Sequence, residues 1–187
     1  MKKSLGWLIG ILVVVLILFT AFISISNNFI RKEEAVNNSW AEVDNQLQRR
    51  SDLIPNLVET VKGYTKHEQA AIEAVAEARS RLAGAATPEA KMEANNQLDQ
   101  ALSRLLVVVE NYPDLKASEQ FTNLQYELAG SENRLAVARK RYNDAVREYN
   151  VAIRVFPGSI VASIKGLTAK QMWEASPEAR QTPKVEF

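Results

Sequence analysis

The chain has 187 residues, with 23 Lys and Arg against 22 Asp and Glu, one His and no Cys. That near-balance of charge leaves no field to draw nucleic acid, and like charges form no basic stripe. The missing cysteines exclude disulfides, lipobox acylation, thiolate nucleophiles and cysteine-held metals, without choosing a redox compartment.

The first element is apolar. No residue between Ser4 and Ile30 is charged, and residues 5–25 (LGWLIGILVVVLILFTAFISI) suffice to cross about 30 Å of hydrocarbon as a helix. A cleaved signal peptide is the competing reading, because Lys2 and Lys3 make an n-region and Ser24-Ile25-Ser26 resembles a cleavage site. The apolar run is longer than such peptides use, which favours an anchor. Lys2 and Lys3 oppose Arg31 and Lys32 across the span; a short basic tail tends to stay in the cytoplasm, so the remainder is expected outside it, with a cytoplasmic placement still open. Gly6 and Gly10 form a G-x-x-x-G pair that would let two spans approach closely, unless the pair has no role. The expected division is a tail and transmembrane helix over residues 1–30, a soluble helical bundle over 31–175 and an extended or mobile tail over 176–187. About 155 residues beyond the anchor suffice for one apolar core.

After the anchor, Val36, Trp40, Val43, Leu47, Ile54, Leu57, Val61 and Tyr64 follow a 3-4 spacing, with Arg50 in the missing slot. This coiled-coil-like seam continues through Ile72, Val75 and Leu82, so one helix is expected from the membrane surface to about Ala83. Pro55 crowds the carbonyl of Ser51 and predicts a kink, or a break between Arg50 and Leu53. Thr87-Pro88-Glu89 reads as an N-cap, a first-position proline and a first-turn acid, opening a second helix that runs to about Glu110. Tyr112-Pro113-Asp114 ends it. A third helix is expected from about Ser118 to Phe156, with Pro157-Gly158 closing it. Residues 159–166 predict a short amphipathic helix, and residues 168–175 a further turn or two. The fold class is therefore all-α: a long antiparallel bundle of three main helices and a short C-terminal helical segment on an N-terminal transmembrane helix.

At 1.5 Å per residue the three helices would measure roughly 80, 35 and 57 Å, so the later two cannot cover all of the first. Val36, Trp40 and Val43 then become either a surface for self-association or a membrane partner, or a seam covered by the third helix if residues 111–118 run toward the membrane.

No catalytic constellation emerges. His67 stands in HEQAA without the second histidine of a zinc helix, and a di-iron bundle would need Glu-x-x-His units that are absent from the sequence. The seven glycines supply neither a phosphate loop nor a nucleophile elbow, so no cofactor and no metal are expected, and His67 reads as a solvated helix residue. Two polar sets remain: Arg50 with Asp52, and Glu132, Arg139, Asn143 and Asn150 along one edge of the third helix. Charges and amides flanking a seam usually fix register between helices, with acid/base chemistry or ligand binding as the alternative. The C-terminal PKVEF places Pro183, Val185 and Phe187 where a strand-adding domain would capture a free carboxylate, or where the tail would dock on its own bundle.

The blocks RKEEAVNNSWAEVDNQLQRRSDLIPNLVETVKGYTKHE and NYPDLKASEQFTNLQYELAGSENRLAVARKRYNDAVREYN, with the Phe156-Pro157 corner and the PKVEF end, resemble the bacterial LemA family over nearly the whole chain. The resemblance departs at Trp173, where relatives tend to carry Phe. It implies a single-span protein of the inner or plasma membrane, with a helical bundle and no established catalytic residues. The expected function is a non-catalytic scaffold or adaptor, bound to lipid and acting through homo-oligomers or other envelope proteins, with membrane protein quality control as one such setting.

Overall fold

In the computed structural model the described residues are 2–65 and 68–174, with side chains from residue 6 onward. Among them all regular structure is helical: α1 (Lys2–Tyr64), α2 (Gln69–Gly84), α3 (Pro88–Val109), α4 (Pro113–Lys116), α5 (Glu119–Arg154) and α6 (Gly158–Lys165). The chain divides into two compact units. The first joins Met1–Ser39 to Asn143–Met172, and the second contains Trp40–Tyr142 and the chain from Trp173.

In the first unit, the N-terminal part of α1 is a helix long and apolar enough to cross a membrane, with a mean hydropathy of 3.1 and none of its most apolar window buried. Trp7, Leu12 and Leu18 are open on its surface. Such a continuous apolar cylinder is unfavourable in water and suited to lipid. Further along, Phe29 and Val36 on α1 join Val146, Tyr149 and Ile153 on α5 and Val161 on α6 in a buried core. Lys32 pairs with Glu148 at 3.1 Å and Lys170 with Glu33 at 2.9 Å.

α6 ends where Gly166 takes a left-handed φ of 65°, and the N–H groups of Gly166 and Leu167 return to the carbonyls of Ser163 and Ala162. This pairing satisfies the last carbonyls of the helix, and a residue with a Cβ would be strained there. Beyond it, residues 167–174 are not helical. The turn expected over residues 168–175 is replaced by a side-chain clasp: Asn150 Nδ2 donates to the Lys170 carbonyl at 2.8 Å, and the Lys170 N–H donates to Asn150 Oδ1 at 2.9 Å. An amide that offers both a donor and an acceptor holds the backbone extended.

In the second unit, α1 stops at Tyr64 rather than near Ala83. Both the N–H and the hydroxyl of Thr65 donate to the Val61 carbonyl at 3.0 Å, and Gly63 in the last turn lowers helix propensity. The apolar stripe resumes on α2 with Ile72 and Val75, so the hydrophobic period alone conceals the break. Pro55 produces no break either, because α1 runs through it unbroken. The carbonyl of Ser51, which loses its helical donor to the proline ring, accepts instead from Arg79 Nε on α2 at 3.0 Å. Arg79→Met keeps the aliphatic stem but strands that buried carbonyl, so thermal unfolding should show a loss of about 1.5 kcal/mol.

α3 opens as expected, with Thr87 Oγ1 accepting from the Ala90 N–H at 3.2 Å and Pro88 in the first position. α2 and α3 pack on one another. Leu57 and Val61 of α1, Val75 of α2, Leu98 and Leu105 of α3, Leu115 of α4 and Leu135 of α5 are sealed from solvent.

Of the two outcomes left for the seam on α1, the structure shows the covered one, and the open association surface at Val36 and Val43 is corrected. Val36 is 3 % exposed in the first unit and Val43 is fully buried in the second. Trp40 packs edge-on to Tyr142 at 5.3 Å between ring centroids, and lies 6.4 Å from Trp173. The 36-residue α5 and the chain after α6 supply partners in each unit, so Val36 and Val43 are core and Trp40 is half-buried against Tyr142 and Trp173.

Candidate functional site

The sequence pattern leaves one charged residue in an apolar seam, and in the second unit Arg50 occupies that slot with its side chain only 8 % exposed. A guanidinium excluded from water is costly unless carboxylates and other acceptors meet it. Its Nη2 lies 2.6 Å from Asp99 Oδ1, and its Nη1 lies 3.0 Å from Glu132 Oε2 and donates to Asn95 Oδ1 at 3.1 Å. Asn95, fully buried, donates from Nδ2 to Asp99 Oδ2 at 3.0 Å. One cation from α1 therefore fixes α3 and α5, and a closed ring of Arg50, Asn95 and Asp99 fixes the carboxylate that receives it.

The charge of this node is balanced by Arg139, 3.9 Å from Glu132, whose guanidinium also lies 5.4 Å from the centre of the Trp173 ring. Burial pushes the Asp99 carboxyl above its ordinary pKa; Arg50 pulls it down, and Glu132 adds to the rise. The result is a carboxyl that holds its proton more tightly than a free aspartate, beside a guanidinium that cannot release one.

Of the polar residues expected at this site, the structure brings together Arg50, Glu132 and Arg139. Asp52 is exposed on α1, where it accepts from Gln48 within the same helix at 2.8 Å, and it takes no part in the node. Its spacing of two from Arg50 places it on another side of the helix. Asn143 lies half-buried on the part of α5 that belongs to the first unit. Asn95 and Asp99 are the functional residues that sequence reasoning missed. The available signal was Asn95 three residues before Leu98, a polar residue in the register of an apolar seam. Gly6 and Gly10 lie open on α1, and a Cβ added at either would meet nothing within 4 Å. Pro183, Val185 and Phe187 lie outside the described residues, as does His67.

Beside the node is an open groove of about 600 Å³. Arg50, Asp99 and Glu132 line its polar end, and Leu57, Leu106 and Tyr126 line its apolar walls. Tyr126 is 74 % exposed, so the mouth is aromatic. A groove of this kind can receive an apolar side chain and a cation or hydrogen-bond donor together. Among the described residues no group of three His, Cys, Asp or Glu side chains could hold a metal ion. Asp99 and Glu132 meet on the Arg50 guanidinium, which occupies the place between them that a cation would take.

A helical bundle continuous with a helix long and apolar enough for a membrane, tied together by a buried ion-pair node, defines the class of protein. The model of the LemA family matches residues 39–187, and the chain belongs to that family. Similar proteins include the magnetosome protein MamQ 2 of Paramagnetospirillum magneticum, 25 % identical over 183 residues that cover 84 % of this chain and 67 % of that one. MamQ of Magnetospirillum gryphiswaldense is 24 % identical with the same coverage. Protein LemA of Metamycoplasma hominis is 22 % identical over 161 residues, 86 % of this chain and 74 % of its own.

Proposed function

We propose that the protein is a non-catalytic scaffold or adaptor anchored by α1 in a bacterial cell membrane, with its bundle on the periplasmic side, and that the groove beside Arg50 receives a segment of another envelope protein. The observation that carries this reading is the node itself. Arg50 is the one buried guanidinium among the described residues, and its two Nη atoms are taken up by three groups from α3 and α5. Interior polarity thus serves register, while Leu106 and Tyr126 remain at the surface as apolar contacts for a partner. The MamQ relatives are named for magnetosomes, a body rather than a reaction, which agrees with a structural role. Self-association through Gly6 and Gly10, capture of the tail through Pro183, Val185 and Phe187, and a place in membrane protein quality control are compatible extensions.

A second reading has its own support. Arg50, Asp99 and Glu132 lining one end of a 600 Å³ groove would suit a small ligand with an apolar body and a cationic or donor group.

A photo-reactive residue at position 126, introduced into the full chain in intact membranes, should give defined cross-linked proteins, and Leu106→Glu should abolish them. If cross-links are absent, or survive Leu106→Glu unchanged, the adaptor reading of the groove is wrong. A small molecule that co-purifies in mild detergent and is lost with Leu106→Glu would favour the second reading.

A further inference from the structure

The first unit carries exposed apolar surface at a level that the chain itself fixes. The uncharged stretch of α1 ends at Ile30, so the hydrocarbon boundary falls near residues 25–30. The corner between α5 and α6 is brought to that level, because a Cβ on Gly158 would lie 3.2 Å from Phe29 Cζ. A groove of about 430 Å³ is lined jointly by Ile25 and Phe29 of α1 and by Val151, Val155 and Phe156 at the corner.

Around this groove four large side chains face outward: Phe156 is 80 % exposed, Ile164 68 %, Ile160 54 % and Val155 52 %. On the opposite side of α6, Val161 and Ala162 are buried, so this short helix is apolar toward the core and toward its surroundings alike. Cations stand beside the apolar patch. Arg147 lines the groove and pairs with Asp144 at 3.0 Å, while Arg154 and Lys165 are exposed and, among the described residues, have no carboxylate partner. Apolar side chains flanked by the unpaired cations Arg154 and Lys165, at the depth where an apolar helix leaves the hydrocarbon, match the chemistry of an acyl region below anionic phosphates.

We propose that Val155, Phe156 and the outer face of α6 are embedded in the interfacial layer of the membrane that α1 crosses, with an acyl chain of that leaflet in the groove beside Phe29 and lipid phosphates on Arg154 and Lys165. The proposal rests on the anchoring of α1 and adds a second, lateral contact with the bilayer. It adds a second contact to the one made by the continuous helix α1, which fixes the tilt of the first unit against the bilayer.

The natural absence of cysteine allows single nitroxide labels in the full chain, reconstituted in vesicles of phosphatidylethanolamine and phosphatidylglycerol. Labels at Phe156→Cys and Ile164→Cys should collide with oxygen in preference to a water-soluble nickel chelate. Asn38→Cys, exposed on α1 and about 14 Å beyond Phe29, should show the reverse preference. Val14→Cys reports the anchor itself. If positions 156 and 164 behave like 38 while 14 reads as hydrocarbon, the proposal is overturned and the anchor stands; if 14 also reads as water, both are overturned. Labels shielded from both reagents and broadened by spin–spin contact would mean that a second copy covers the patch, which also overturns it. With Arg154 and Lys165 changed to Gln, the label at 164 should shift toward the aqueous reading, and an unchanged reading would refute the phosphate contacts.

Discussion

Arg50→Ala is expected to lower the stability of the folded chain by about 3 kcal/mol, the lower end of the range for breaking a buried ion pair. The guanidinium is 8 % exposed, but its carboxylate partners Asp99 and Glu132 retain 37 % and 41 %, so water recovers part of what they lose. Asn95 has no such recourse, being fully buried with its Oδ1 turned to Arg50. Thermal melts in mild detergent check the magnitude, and a loss below about 1 kcal/mol would show that the node does not hold the helices in register.

The same node sets a pH dependence. Asp99 has its pKa raised above the ordinary 3.8 in the folded chain, chiefly by burial. A raised acid pKa means that the fold binds the proton more tightly than the unfolded chain does. The stability owed to this proton is therefore complete below 3.8 and is lost as pH rises through the folded value. Melts of the wild type against the non-titrating Asp99→Asn should show the wild type losing ground across that window and running parallel above it. Arg50→Ala removes the attraction that opposes the rise, so in that variant the window should extend to higher pH.

Gly158→Ala is expected to cost about 2–3 kcal/mol in the first unit, although alanine is ordinarily the better helix residue. The added Cβ would lie 2.4 Å from the Ala152 carbonyl oxygen and 3.2 Å from Phe29 Cζ. The first neighbour is backbone and cannot rotate away, so α6 must separate from the end of α5. Gly84→Ala, where nothing lies within 4 Å, provides the control and should be close to neutral. Hydrogen exchange over residues 143–165 should rise in the first variant and stay unchanged in the second.

Much of the fold was legible because its signals are local. The uncharged run before Arg31, the Thr87-Pro88-Glu89 start of α3 and the apolar period of α5 each state their structure within a few turns. The errors arose where a distant group answers a local need. The proline at 55 leaves a break open as well as a kink until Arg79 is known to reach Ser51. Residues 168–174 read as helix until Asn150 is known to grip Lys170. Arg50 was visible as the odd member of its seam, but its principal partner Asp99 lies on a helix whose register against α1 cannot be read from either helix alone.

Pro55 also ties α1 to α2. A ring that removes one rung from α1 leaves an oxygen that only a visitor can satisfy, and the visitor is a side chain of α2. Separation of α2 from α1 must therefore bare a main-chain acceptor as well as greasy surface, so a flaw in the first helix becomes a catch for the second.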